Sequence, residues 1–289
     1  MNAETHDTEA GGRETPARFR RIVVAIDPTA DYRAALAEAT RLARQLEAEL
    51  SALFVEDIGL LGAAALPFVR SFGLSGGGWQ AFERRDMETA VRALAEQARQ
   101  ALAELAARDR LRWSFRVVRG EIEDEALQEA AETDLVVLGA GHDRFHAAAR
   151  TPSLTRVRVT SAGRSVMFVR PDATARDRVT VAFDGTPGAE RALDAAIRLA
   201  TPANVTVLLT PPSDDGAADL ERQARASIGD AAALVEFVRL PGANAADLCG
   251  ASAAAGAGAL VLGADNALLR EEAGLRRLDE TDCRVLVVR

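Results

Sequence analysis

Two aspartates stand at matching places in this 289-residue chain, each closing a short apolar run: Asp27 after RIVVAI and Asp184 after RVTVAF. A carboxylate at such a tip can accept hydrogen bonds from a ligand's amine or hydroxyl, and it can equally shape the turn that follows. Other residue types with chemical potential read more plainly. His142 and His146 are four apart with Asp143 between them, a spacing that faces one metal only on a helix; in their Gly-flanked loop, without a third ligand, they read as a surface pair. Glu121, Glu123, Asp124 and Glu125 crowd the start of a helical stretch, where the helix dipole favours negative charge. SGGGW (Ser75–Trp79) has the glycines of a phosphate-cradling loop, but it follows a loop rather than a strand and reads as a hinge. Cys249 and Cys283 form neither a CxxC nor a metal spacing, so buried free thiols in a reducing cytoplasm are expected. No nucleophile, base and orienting group fall where one fold would gather them, and no metal set is evident. The expectation is a protein without catalysis.

All 35 basic residues are arginine. The absence of lysine removes the phosphate-loop lysine, Schiff-base chemistry and pyridoxal phosphate attachment. A net charge of −8 argues against a nucleic-acid partner, because neutralising phosphates needs a positive surface. Residues 1–18 are polar and lack the apolar core of a signal peptide, which predicts a disordered tail. The most apolar loop, Ile58–Val69, is too short to cross a bilayer and contains a proline, so no membrane insertion is expected.

The elements that would position these residues come in two sets. RIVVAID (Arg21–Asp27) is a β-branched run of the kind covered on both faces. Leu36, Ala39, Leu42, Ala43 and Leu46 then recur at helical spacing, and ELSALFVED (Glu49–Asp57) returns to strand. After an interruption (Ile58–Gln80) comes a long helix predicted over Phe82–Arg108, with a stripe of Met87, Ala90, Val91, Leu94, Ala98, Leu102 and Leu105. RWSFRVV alternates, with Trp113, Phe115 and Val117 on one side, which suits a half-exposed edge strand. A helix predicted near Asp124–Ala131, the strand DLVVLGA and the strand SVMFVR complete the first set. From Asp177 the order repeats: RVTVAFD, a helix around Leu193, NVTVLLT, a shorter helix within Asp219–Ala233, LVEFVRL, an Ala-rich helix, ALVLGA and RVLVVR. The expected fold is α/β, two tandem doubly wound five-stranded parallel sheets. The expected division is a tail (1–18), a first domain (19–171) with its insertion (58–80), a linker (172–177) and a shorter second domain (178–289).

An aspartate ending strand one, LGA ending strand four and a closing V-x-V-V-R strand together resemble the universal stress protein family in its tandem form. The resemblance runs from about Phe19 to Arg289. It implies the order 3-2-1-4-5 in each unit, with a ligand crevice at the switch point between strands one and four. It also implies an ATP or AMP site on Asp27, Val55, Gly139, Gly141 and Ser153. Family members that bind ATP carry G-x2-G-x9-G-[S/T] after strand four. Counting from Gly139, this chain has His142 and Pro152 at the later glycines and Ser153 at the hydroxyl, so the site is degenerate. Counting from Gly263 puts Asn266 at the second glycine of a loop too short for the rest. Arg144, Arg150, Arg156, Arg158 and Arg164 crowd the first loop, either as phosphate partners or as a solvated face. The resemblance implies a stress-response regulatory protein acting through a partner or small ligand; a nucleotide-binding module, a weak ATPase at most, is the alternative.

Two expectations concern surfaces. Leu60, Leu61, Leu66, Phe68, Phe72 and Leu74 make the insertion either a lid on its own domain or a contact surface for a partner. The last strands, VMFV and VLVV, carry no charge or proline to guard an edge. They are expected to pair with each other inside the chain, with a homodimer as a further option.

Overall fold

The computed structural model describes residues 19–26, 32–57, 70–72, 79–81, 84–130, 135–139, 164–170, 176–201 and 204–289. In the first half, β1 (Arg21–Ile26), β2 (Glu49–Asp57), β5 (Trp113–Gly120), β6 (Leu135–Gly139) and β7 (Ser165–Val169) join α1 (Tyr32–Gln45), α2 (Arg84–Asp109) and α3 (Ile122–Glu129). A small antiparallel ribbon, β3 (Arg70–Phe72) with β4 (Trp79–Ala81), closes the insertion and ends one residue beyond its expected limit; the sequence offered no strands there. The second half contains β8 (Val179–Phe183), β9 (Val205–Leu209), β10 (Glu236–Arg239), β11 (Ala259–Gly263) and β12 (Arg284–Val288). Its helices are α4 (Pro187–Leu199), α5 (Ala217–Ile228), α6 (Ala245–Ala254) and α7 (Glu272–Asp279).

The strands form one ten-stranded sheet in the order β10-β9-β8-β11-β12-β7-β6-β1-β2-β5. Read from either end, this is 3-2-1-4-5 meeting its own mirror order. Every pairing is parallel except the central one, where β12 and β7 run antiparallel with Val285 opposite Phe168 and Val287 opposite Val166. The two unguarded apolar strands thus cover each other, as their sequences demand, because an exposed edge of that kind would recruit another chain. The central strands are buried along their whole length, and one layer of helices lies on each face. One face packs against α1, α2, α4 and α5, the other against α3, α6 and α7.

Several local expectations shift. On α2 the buried face is Val91, Ala95, Ala98, Leu102 and Ala106, whereas Ala90 is exposed; the stripe is rotated toward α1. The helix expected from Asp124 starts two residues earlier, at Ile122, because Ile122 packs beneath Ala126 in the core. Edge strand β5 buries less than its alternation suggests. Phe115 reaches the core, yet Trp113 is 36% and Val117 50% exposed. Helix α7 was not singled out in the sequence, although Leu275 and Leu278 are core residues at helical spacing. Among the described residues, no helix is long and apolar enough to cross a membrane.

Across the central seam, the two halves are joined by more than strand pairing. Arg284, at the start of β12, places its guanidinium 2.6 Å from the Glu38 carboxylate of α1, and both side chains are buried. Arg284 also donates to the carbonyls of Gly258 and Arg176, at 2.8 Å each. Glu38 is held as well by a two-pronged bond from Arg41. Burial pushes the Glu38 carboxyl up, but the Arg41 hydrogen bonds and the Arg284 charge outweigh it and hold the group below the usual carboxylate range. A bond from Gln45 Nε2 to the Arg198 carbonyl ties the ends of α1 and α4.

Candidate functional site

The chain reverses direction on the sheet between β1 and β6. From β1 it moves outward to β2 and from β6 inward to β7, so the carboxyl ends of these neighbours border a crevice. Their parallel register, Ile22 opposite Leu135 through Ala25 opposite Leu138, brings Gly139 level with the end of β1. The first helical turn of α1 lies over this mouth: among the described residues, a methyl group built on Gly139 would meet the Ala35 methyl, at 3.4 Å.

Of the five expected site residues, Gly139 and Val55 are described. Gly139 stands at the crevice. Val55 follows Phe54, the partner of Ile26, and its side chain is fully buried, so it can offer a ligand only main-chain groups. Asp27, Gly141 and Ser153 lie outside the described residues, as do His142, His146 and four of the five arginines. The fifth, Arg164, is a correction. It precedes β7, and the pairing of Ser165 with Leu135 puts it at the amino end of the strands, opposite the crevice. There it donates to the Ala130 carbonyl at 2.6 Å. Sequence distance from the loop misled, because a parallel strand carries its first residue to the far side of the sheet.

The second switch point, between β8 and β11, is described completely and is filled by its own side chains. Asp184 Oδ1 accepts from the Thr186 amide at 3.1 Å and from the Thr186 hydroxyl at 2.7 Å. Its Oδ2 accepts from Asn266 Nδ2 at 3.1 Å. Asp265 turns its carboxylate onto the start of α4, accepting from the Gly188 amide at 2.9 Å and from the Thr186 hydroxyl at 3.2 Å. A negative side chain suits those free amides for the same reason that an anion would. The helix also presses on the strand. A methyl group on Gly263 would lie 2.5 Å from the Gly188 carbonyl carbon, and one on Gly188 would collide with the Asp265 carboxylate. Glycine at both positions is what allows the closure.

Asn266 was placed by its position in the sequence motif, but Thr186 and Asp265 were not foreseen as site residues. The available signal was the run Asp184-Gly185-Thr186-Pro187, an N-cap threonine followed by proline at the first helical position. Nothing local to Asp265 indicates that it reaches α4. Among the described residues, no group of three or more His, Cys, Asp or Glu could hold a metal ion. Cys249 and Cys283 are free and buried, as expected.

No family model and no curated protein matches the sequence. Solved structures do match in fold. A universal stress protein from Archaeoglobus fulgidus DSM 4304 superposes with a TM-score of 0.64 at 15% identity, covering 95% of this chain and 97% of that chain. A functionally unknown protein from Pseudomonas aeruginosa PAO1 gives 0.59 at 18% identity, covering 94% and 93%. The near-complete coverage of both chains extends the likeness across both halves. This chain has the fold of a tandem universal stress protein.

Proposed function

We propose that the protein is a stress-response regulator of the tandem universal-stress-protein kind, acting in the cytoplasm by binding rather than by catalysis. In this reading its small-ligand site is the crevice of the first half alone. The observation that carries it is the contrast between the two switch points. At the second, both carboxylate oxygens of Asp184 are engaged, by Thr186 and by Asn266, and Asp265 occupies the start of α4. At the first, the neighbour of Gly139 among the described residues is the Ala35 methyl, at ordinary contact distance. A site whose acceptors are already bonded offers a ligand nothing without breaking those bonds first.

The second reading, an ATP- or AMP-binding module, rests on Gly139 at the mouth of that crevice and on Asp27 immediately after β1 in sequence. One experiment separates them. Calorimetric titration with ATP, AMP and cyclic AMP is run on the wild type, Asp27→Ala and Asp184→Ala. Submicromolar nucleotide binding that Asp27→Ala abolishes and Asp184→Ala spares supports the nucleotide module. No nucleotide binding by any of the three leaves the partner-binding regulator. Binding abolished only by Asp184→Ala would overturn the assignment of the site to the first half.

A further inference from the structure

The second half contains a feature that the ligand crevice does not use. Cys249 on α6 and Cys283, just before β12, both line one surface cavity of about 450 Å³, together with Arg277, Thr281 and Asp282. Thirty-odd residues separate the two cysteines along the chain, but both belong to the same core layer. The Thr281 hydroxyl lies 3.4 Å from the Cys283 sulfur and faces the same cavity as both thiols. The Cys249 thiol points toward the Arg277 carbonyl, 3.9 Å away at the end of α7. Arg277 and Thr281 lie four residues apart across the end of α7, so the two sulfurs face groups of the same turn.

We propose that Cys249 and Cys283 are a paired oxidation site, converted by a small peroxide into an intramolecular disulfide that ties α6 to β12. Cys249 is the attacking thiol, because it lines the cavity with Gly250 and Ala253 of its own helix, where the oxidant enters, and Arg277 lines the same cavity. Its sulfur attacks one peroxide oxygen, the O–O bond breaks, and Cys249 sulfenic acid and hydroxide form; the thiol proton converts the hydroxide to water. The Cys283 sulfur then attacks the sulfenic sulfur, the S–O bond breaks and a second water leaves. Two thiols and one hydrogen peroxide thus become one disulfide and two waters. Burial pushes both thiols up, which keeps them protonated at neutral pH and makes the pair slow toward weak oxidants.

The consequence reaches the seam. Cys283 is followed directly by Arg284, the residue that carries the buried ion pair to Glu38 of the first half. Drawing Cys283 toward α6 acts on the residue that joins the halves, so oxidation in one half is felt at the junction of both.

The test treats the full-length protein with hydrogen peroxide, then denatures it, alkylates it and maps its peptides. The expected result is loss of both alkylatable thiols, one cross-linked peptide pair joining Cys249 to Cys283 in the monomer, and full recovery with dithiothreitol. Cys283→Ser should halt at a Cys249 sulfenic acid that dimedone traps. Cys249→Ser should leave Cys283 reduced at the same dose, and Arg277→Gln should slow disulfide formation several-fold. Thiols that stay alkylatable, that oxidise irreversibly to sulfinic acid, or that link only between chains would overturn the proposal. Circular dichroism of each variant establishes that it is folded, so a negative result speaks to the chemistry.

Discussion

The halves of this protein share one strand order and differ at both places where they could have been twins. At the switch points, Gly139 meets, among the described residues, the Ala35 methyl at ordinary contact distance, whereas Gly263 is jammed against the backbone of α4 beside a network of Asp184, Thr186, Asp265 and Asn266. At the seam, the pair Glu38 and Arg284 spans the halves on one side of the approximate twofold. Aligning the repeats makes its counterparts Ala195 and Ser165, both buried and uncharged. Duplication supplied two equal frames. One crevice closed and one seam contact became ionic, so the halves are no longer interchangeable. A buried charge pair discriminates well, since either partner without the other is strongly unfavourable.

The largest effect is expected at the ionic side of the seam. Glu38→Ala leaves the buried Arg284 guanidinium without its carboxylate and should cost about 3–5 kcal/mol in chemical denaturation, whereas Ala195→Gly on the opposite side should cost about 1 kcal/mol. Equal losses would erase the asymmetry. Because the folded-state pKa of Glu38 is depressed, its contribution is fully present above the unfolded-state value near 4.5 and is lost as pH falls through the lower folded value. Wild-type stability should therefore drop in that acid range by more than Glu38→Ala stability does, as read from denaturation midpoints between neutral and acid pH.

Val287→Pro removes a donor from a strand paired on both sides, with Leu262 and with Val166. It should expand the molecule in small-angle scattering and raise protease sensitivity between the halves, while unchanged compactness would mean that the seam rests on the helices alone. The glycine pair sharpens the comparison of crevices. Gly263→Ala forces α4 off β11 and should destabilise by about 1–3 kcal/mol. Gly139→Ala should change stability by less than about 1 kcal/mol, and thermal melts of the two side by side decide it. A smaller effect than that of Gly263→Ala belongs to Asp265→Ala. Losing its bonds to Gly188 and Thr186 should cost about 1 kcal/mol, and it should not by itself create nucleotide binding, because Asn266 still engages Asp184.

Much of the architecture was legible because strand covering leaves a mark in composition. Runs such as VVLG and LVLG contain no polar residue, so they had to lie at the centre, and the unguarded VMFV and VLVV had to find a partner. The edge strand was read less well. Alternation in β5 located its apolar side but not whether a helix covers it, and Trp113 and Val117 remain partly exposed. The site was legible only as positions. Asp27, Gly139 and Ser153 came from a motif's spacing, and Arg164 was drawn in by proximity in sequence although the sheet carries it to the opposite end.

By itself, then, the sequence determined the duplicated frame: strand and helix order, the buried centre and the need to pair the last strands. These follow from local periodicity and from the cost of exposing apolar edges, which act on each segment separately. Only the tertiary structure decided which side chains meet across those segments. Asp265 reaching α4, Glu38 finding Arg284, and two distant thiols sharing one cavity depend on helix placement to within an ångström or so. No pattern within a single segment encodes that, because a hydrogen bond or an ion pair is set by distance in space and is indifferent to separation along the chain.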